Sequence, residues 1–326
     1  MAQLTELIDL ASERLGGVAV EANDEFFAPK ENLLKAAAPI FIADKYTDRG
    51  KWMDGWESRR KRVPGHDWCI VRLGAPGIIR GVDVDTSYFI GNYPAHCSLD
   101  GSVDGVDWVK VLPKEMLQGG AHNLFSIDSP RRFTHVRLNI YPDGGVARLR
   151  VYGEVAPDFD SLEAPFDLAA VQYGGTVVAA SDMFFGSRHN LIWPDPSTHM
   201  GDGWETKRRR GPGYDWAIVR LGTPGMIERI VVETQHFKGN HPDAFSLDAC
   251  HAPLALVEDL ATGRAAWREL IPRMKLDPDS QFEARGGGGP HTHVRLNIYP
   301  DGGISRLRVF GWPVRDASVA GSASHR

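Results

Sequence analysis

Thr134-His-Val-Arg-Leu-Asn-Ile-Tyr-Pro-Asp-Gly-Gly145 recurs letter for letter at Thr292 to Gly303. A chain repeated in this way folds one unit twice, and any chemistry it performs has two sets of the same parts to draw on. The register extends much further. Asp9-Leu-Ala11, Gly16-Gly17, Phe26-Phe27 and Asn32 match Asp167-Leu-Ala169, Gly174-Gly175, Phe184-Phe185 and Asn190 at one constant offset. Asp54-Gly-Trp-Glu57 matches Asp202-Gly-Trp-Glu205 at a shorter one, because the first copy carries an insertion around Asp44 to Met53. An insertion in the second copy near Leu254 to Thr262 compensates, so that Thr134 and Thr292 regain the first offset. The copies therefore span Ile8 to Gly153 and Phe166 to Gly311. An acidic, proline-bearing connector, Glu154 to Pro165, joins them, and a tail follows from Trp312 to Arg326.

Composition narrows the class. At 42% hydrophobic and 24% charged, each half can bury its own core. A formal net charge of -5 argues against nucleic acid as partner, since phosphate neutralisation needs a basic face. The first residues have neither a basic region nor a long apolar run, so no signal peptide and no membrane span is expected and the cytoplasm is the default location. Three cysteines, Cys69, Cys97 and Cys250, imply neither a disulfide framework nor a zinc site.

Strand signals dominate. In His135-Val-Arg-Leu-Asn-Ile-Tyr141 the apolar Val136, Leu138 and Ile140 alternate with His135, Arg137, Asn139 and Tyr141. Pro142-Asp-Gly-Gly145 reads as a turn into a strand from Arg148, and the two strands as a hairpin. Cys69 to Gly74, Val82 to Phe89 and their partners Ala217 to Gly222 and Ile230 to Phe237 read as further strands broken by Gly and Pro. A short helix is expected only around Leu4 to Arg14. The pattern predicts an all-β chain of two tandem jelly-roll β-sandwich repeats.

Two constellations carry chemistry. Gly55-Trp-Glu-Ser-Arg-Arg-Lys-Arg62 and Gly203-Trp-Glu-Thr-Lys-Arg-Arg-Arg210 set a Trp and a Glu before four basic residues. A guanidinium binds a carboxylate as a planar fork, and a neighbouring Glu can move a proton. Trp56, Glu57, Arg59 and Arg60, with Trp204, Glu205, Lys207 and Arg208, are therefore candidates, while Lys61, Arg62, Arg209 and Arg210 read as the solvated end of the run. The polar strand face of Arg137, Asn139 and Tyr141, with Arg295, Asn297 and Tyr299, suits a ligand rich in carbonyl and amide groups. Asn92 and Asn240, each before an aromatic or His and a Pro, cap a turn or hold ligand; Asp143 and Asp301 are turn residues. His66, His236 and His241, each occurring in only one copy, are acid-base candidates. No spacing specifies a metal or cofactor, which leaves a divalent ion held by residues distant in sequence as an open alternative.

Asp54 to Arg62, His66 to Gly74, Val82 to Pro94 and the twin His-Val-Arg-Leu-Asn-Ile-Tyr-Pro-Asp-Gly-Gly segments resemble the allantoicase family, the allantoate amidinohydrolases of purine breakdown. The likeness runs from Ile8 to Gly311. It implies jelly-roll repeats similar to galactose-binding-type modules, a small-molecule substrate, hydrolysis of allantoate to ureidoglycolate and urea, and a homo-oligomer. Allantoate has one carboxylate and two ureido groups on one carbon. It needs a cationic fork (Arg59, Arg60 or Arg208), amide partners (Arg137, Asn139, Tyr141 or their twins) and an acid (Glu57 or Glu205, with or without a His). Two other readings compete. One is a non-catalytic tandem carbohydrate- or ligand-binding module, and the other, which the net acidity disfavours, is a nucleic-acid patch.

Overall fold

The computed structural model describes residues 4, 7–162 and 165–314. Two compact units divide between Pro157 and Asp158. The first contains β1 (Val18–Ala22), β2 (Asp67–Asp85), β3 (His96–Ser102), β4 (Val109–Met116), β5 (His122–Ser126), β6 (Arg132–Tyr141) and β7 (Arg148–Val155). The second repeats them as β8 (Thr176–Ala180), β9 (Asp215–Glu233), β10 (Ala244–Cys250), β11 (Arg268–Lys275), β12 (Gln281–Arg285), β13 (His291–Tyr299) and β14 (Arg306–Pro313). Trp312 and Pro313, expected in the tail, belong to β14; the tail beyond residue 314 lies outside the described residues.

β2 organises each unit. Its first half, Cys69–Arg72, pairs with β1 on one side, and Asp67–Arg72 pairs with β6 on the other. Its second half pairs with β7 and β5. One strand thus serves two sheets, β1-β2-β6-β3-β4 and Ile8–Asp9-β7-β2-β5, all antiparallel. The change of sheet falls at Leu73-Gly-Ala-Pro76, where four residues of β2 lie opposite the single Thr134. Pro76 has no N–H for a ladder, and a Cβ on Gly77 would sit 2.6 Å from Leu10 Cδ1. β9 repeats the crossing between Arg220 and Gly225.

The alternation read along β6 holds: Val136, Leu138 and Ile140 are fully buried against Cys69, Val71, Val82, Val84, Leu149 and Val151. Three sequence expectations need correction. Strands at 69–74 and 82–89 are parts of one continuous β2, because a Gly-Pro break can bend a strand between sheets without ending it. β6 and β7 are no hairpin: Gly145–Val146 pairs instead with Trp56–Glu57, and the chain passes to the other sheet. Within the described part of 4–14 there is no α-helix. Ile8–Asp9 pairs with Tyr152 and Gly153, Asp9 Oδ1 accepts from Val151 N (2.9 Å), and only a 3-10 turn, Glu13–Leu15, follows.

A buried guanidinium ties the loops to this frame. Arg148, 1% exposed, donates to Asp54 Oδ2 (2.8 Å), Asp54 O (2.9 Å), Ala147 O (2.7 Å) and Ala37 O (3.0 Å). Arg306 does the same in the second unit with Asp202 Oδ1 (2.9 Å), Asp202 O (2.8 Å) and Asp195 Oδ1 (3.1 Å). Such a charge is tolerated only because its N–H groups are met. Arg148→Leu leaves Asp54 with Lys35 (3.0 Å) as its one remaining cation. It is expected to cost about 3–5 kcal/mol in denaturant unfolding, and an unchanged midpoint would contradict the role.

Asp202 gives the matching pH test. Burial pushes its carboxyl up, but bonds from Thr198 N–H, Arg306 and Ser197 outweigh that and bring it to about 2 from 3.8. A folded value held below the unfolded one contributes stability above the unfolded value and loses it as pH falls through about 2. Asp202→Asn is expected to lower thermal stability at neutral pH and to flatten its decline between those two values.

Candidate active site

Three loops meet at the end of the first unit's sandwich. Trp56–Glu57 forms a two-residue ladder with Gly145–Val146. Gly145 N donates to Asn92 O (2.8 Å), and Ser58 N to Gly144 O (3.2 Å). Glycine is required here: a Cβ on Gly145 would lie 2.0 Å from the Phe89 ring, and Gly144 holds φ +138 with a Cβ site 2.7 Å from Asn92 O. Trp56 is wholly buried, with Nε1 donating to Asp24 O (2.8 Å), and Trp204 does the same to Asp182 O (2.8 Å). Both Trp side chains are core, and the expectation that they face a ligand is corrected.

The basic run is sorted residue by residue. Arg59 N and Nε donate to Asp24 Oδ1 (2.9 Å) and Oδ2 (2.7 Å). Lys61 N donates to Asp143 Oδ2 (2.8 Å), and Lys61 Nζ turns inward to the buried Asp67 Oδ1 (2.6 Å). Arg60 lies between these two pinned neighbours, and its guanidinium has no partner among the described residues. Lys61 is therefore part of the framework and not the solvated end that a charge run suggests. Arg59 is spent on Asp24.

A hollow of about 440 Å³ opens beside Arg60, walled by Glu57, Ser58, Lys61, Asn92, Tyr93 and Asp143 among others. Asn92 Nδ2 donates to Glu57 Oε1 (2.7 Å). Burial raises the Glu57 carboxyl above the ordinary glutamate value, and the Asn92 bond offsets only part of that. The fold thus gathers Glu57, Arg60 and Asn92 in one space. Asp143, Lys61, Ser58 and Tyr93 were not assigned to it from sequence; Asp143 did recur with its segment, but as turn chemistry.

Other candidates lie elsewhere. Arg137 Nη2 (2.9 Å) and Asn139 Nδ2 (2.8 Å) both donate to Asp100 Oδ2, opposite on β3. Tyr141 shares a hydrogen bond with Ser98 Oγ (2.9 Å), and its ring lies 4.7 Å from that of His66 and 4.4 Å from Lys114 Nζ. None of these four lines the hollow. Arg295 and Asn297 likewise converge on Asp248 Oδ2, and Tyr299 on Ser246 and Tyr214. The polar strand face spends most of its donors on Asp100 and Asp248, although Asn297 Oδ1 is buried without a partner, and its residues do not line the hollow at Glu57.

The second unit repeats the pinning. Lys207 N donates to Asp182 Oδ2 (2.8 Å), Arg209 N to Asp301 Oδ2 (2.8 Å), and Arg209 Nη2 contacts Asp215. Arg208 between them is unpartnered among the described residues. Asn240 Nδ2 donates to Glu205 Oε1 and to Met200 Sδ (3.3 Å). His236 Nε2 bonds Ser197 O (3.0 Å) and so holds a loop. His241 takes the place of Tyr93 and has a buried Nδ1 without a partner. Among the described residues no three His, Cys, Asp or Glu side chains are arranged to hold a metal, and no helix is long and apolar enough to cross a membrane.

Fold and site define a tandem β-sandwich protein whose loops, at one end of the first unit, set an unpaired guanidinium and a glutamate carboxyl raised by burial around a space sized for a small anion. The family model for the allantoicase repeat matches twice, at residues 8–156 and 166–314. A probable allantoicase of Burkholderia mallei is 50% identical over 93% of this chain and 94% of its own length. One from Photobacterium profundum is 49% identical over 94% and 97%. The crystal structure of allantoicase from Saccharomyces cerevisiae superposes with a TM-score of 0.73 at 35% identity, covering 94% of this chain and 93% of that one. The chain belongs to the allantoicase family.

The raised Glu57 carboxyl has a stability consequence. A carboxyl whose folded value exceeds its unfolded one stabilises fully below the unfolded value, and that contribution is lost as pH rises through the folded one. Glu57→Gln, which keeps an oxygen for Asn92, is expected to unfold at a higher temperature than the parent at neutral pH, with the gain vanishing below roughly pH 4. A variant less stable than the parent at neutral pH would contradict the burial argument.

Proposed function

We propose that the chain hydrolyses allantoate to ureidoglycolate and urea, a step of purine degradation, in the hollow of the first unit. The observation that carries the reading is the unpaired Arg60 guanidinium on the same wall system as the Asn92-held Glu57. Arg60 takes the substrate carboxylate as a fork, which orients the central carbon toward Glu57. One bond from that carbon to a ureido nitrogen breaks, and the oxygen of water bonds to the carbon in its place. Glu57 gives its proton to the departing nitrogen and recovers one from the water, so urea leaves neutral and the carbon carries a hydroxyl. Asn92 fixes Oε1 and so leaves Oε2 for the transfer.

A non-catalytic ligand-binding module has no use for a glutamate carboxyl raised by burial and held by Asn92, and the two Trp of these loops, Trp56 and Trp204, are core. We infer that the reaction takes place in the cytoplasm, a reading supported by Cys69, Cys97 and Cys250 being free thiols.

The test is urea release from the full chain given allantoate, with ureidoglycolate appearing in equal amount. Glu57→Gln is expected to lower kcat by about 10²–10⁴. Arg60→Ala acts chiefly on KM, and Arg60→Lys restores only part of it, because an ammonium cannot grip both carboxylate oxygens. Full kcat in Glu57→Gln would remove that carboxyl from the reaction.

A further inference from the structure

The second unit also has a hollow, of about 310 Å³, but it opens on the other side of the basic loop. Its wall is Ser181, Asp182, Asp215 and the run Lys207 to Gly211; neither Glu205 nor Asn240 belongs to it. In the first unit the corresponding carboxylate is met by longer side chains. Asn23, the counterpart of Ser181, donates to Asp67 Oδ1 (3.0 Å), and Lys61 Nζ closes on the same oxygen. Serine has two fewer side-chain heavy atoms and reaches one bond less far. Its Oγ reaches Asp215 Oδ1 (2.9 Å) but leaves the remaining volume open.

The charge of this hollow is one-sided. Four cations, Lys207 to Arg210, face two carboxylates, and both carboxylates are engaged: Asp182 by the N–H and Nζ of Lys207, Asp215 by Arg209 and Ser181. The guanidiniums of Arg208 and Arg210 have no partner among the described residues, and Arg209 Nε is buried with no acceptor. A buried donor left unmet is costly, and an anion in the hollow would meet it. The first unit's hollow, by contrast, sets Glu57 and Asp143 against Arg60 and Lys61.

We propose that the second unit's hollow is a binding site for a small carboxylate that it does not hydrolyse. That the carboxylate is the ureido acid taken or made by the first unit rests on the proposed function. The two copies thereby divide their duties. Each keeps the bracketed arginine, Arg60 or Arg208, but only the first unit's hollow includes the Asn-held glutamate; Glu205, held by Asn240, is not among the residues that line the second.

The full-length Glu57→Gln chain, titrated calorimetrically with allantoate and then with ureidoglycolate while urea is measured in the same sample, is expected to bind two equivalents. Arg208→Ala in that background removes one. Ser181→Asn, which copies the first unit's side chain into the hollow, removes the same one, and Arg60→Ala removes the other. A single equivalent abolished by Arg60→Ala and untouched by both second-unit changes overturns the second site and leaves the proposed hydrolysis standing. A single equivalent with the opposite sensitivity upholds the second site and places the error in the first unit. Inorganic phosphate displacing the second-unit equivalent as readily as ureidoglycolate does would mark a generic anion hole and overturn the carboxylate assignment.

Discussion

Everything at the functional end of this molecule hangs from a buried guanidinium. Arg148 reaches from the start of β7 to the backbone and carboxylate of Asp54, two residues before Trp56. The segment carrying Trp56, Glu57 and Arg60 is further tied by its two-residue ladder, the indole bond and the contacts of Arg59 and Lys61, but Arg148 alone joins its start to β7 by a buried charge. A hydrophobic contact could hold the loop nearby, but the multiply bonded guanidinium also fixes its angle. Arg306 and Asp202 place the second loop by the same device.

From that anchor the loop is used selectively. Carboxylates on both sides, Asp24 and Asp143, take the backbone N–H groups of Arg59 and Lys61, and their side chains are engaged as well. Of the three cations bracketed by these carboxylates in each copy, the middle one, Arg60 or Arg208, has no partner among the described residues. A run of like charge on a surface would ordinarily be a diffuse field; here neutralising the flanks turns it into one directed fork. Duplication then allows divergence. The bracket is retained twice, whereas the second unit's hollow lies against Ser181, where the first unit has Asn23 bonded to Asp67.

Much of the architecture was legible in the sequence, since alternation along β6 and the turn residues around it report burial directly. What alternation cannot report is partnership. It set Arg137 and Asn139 on the face opposite Val136 and Leu138, but Asn139 is buried there, and the register that puts Asp100 opposite Arg137 belongs to β3, thirty-odd positions away. For the same reason β6 and β7 looked like a hairpin while pairing with different halves of β2. Glu57, Arg60 and Asn92 stand out in the sequence because each copy repeats them, or their like, in loops. Lys61 and Asp143 were set aside because a charge run and a Pro-Asp-Gly-Gly turn have ordinary explanations until the bond between them is seen. Trp56 was misread because its burial depends on the loop's angle, which Arg148 sets from ninety-odd residues downstream.

The central claim is that Arg60 and Glu57 address the two ends of one substrate molecule. A crystal structure of the Glu57→Gln chain with allantoate tests it most directly. The account expects the carboxylate in bidentate contact with Arg60 and a ureido nitrogen within hydrogen-bonding distance of the side chain at position 57, in the space between Asn92 and Asp143. Allantoate seated instead on the Arg137–Asp100 face, with Arg60 turned to solvent, would contradict it.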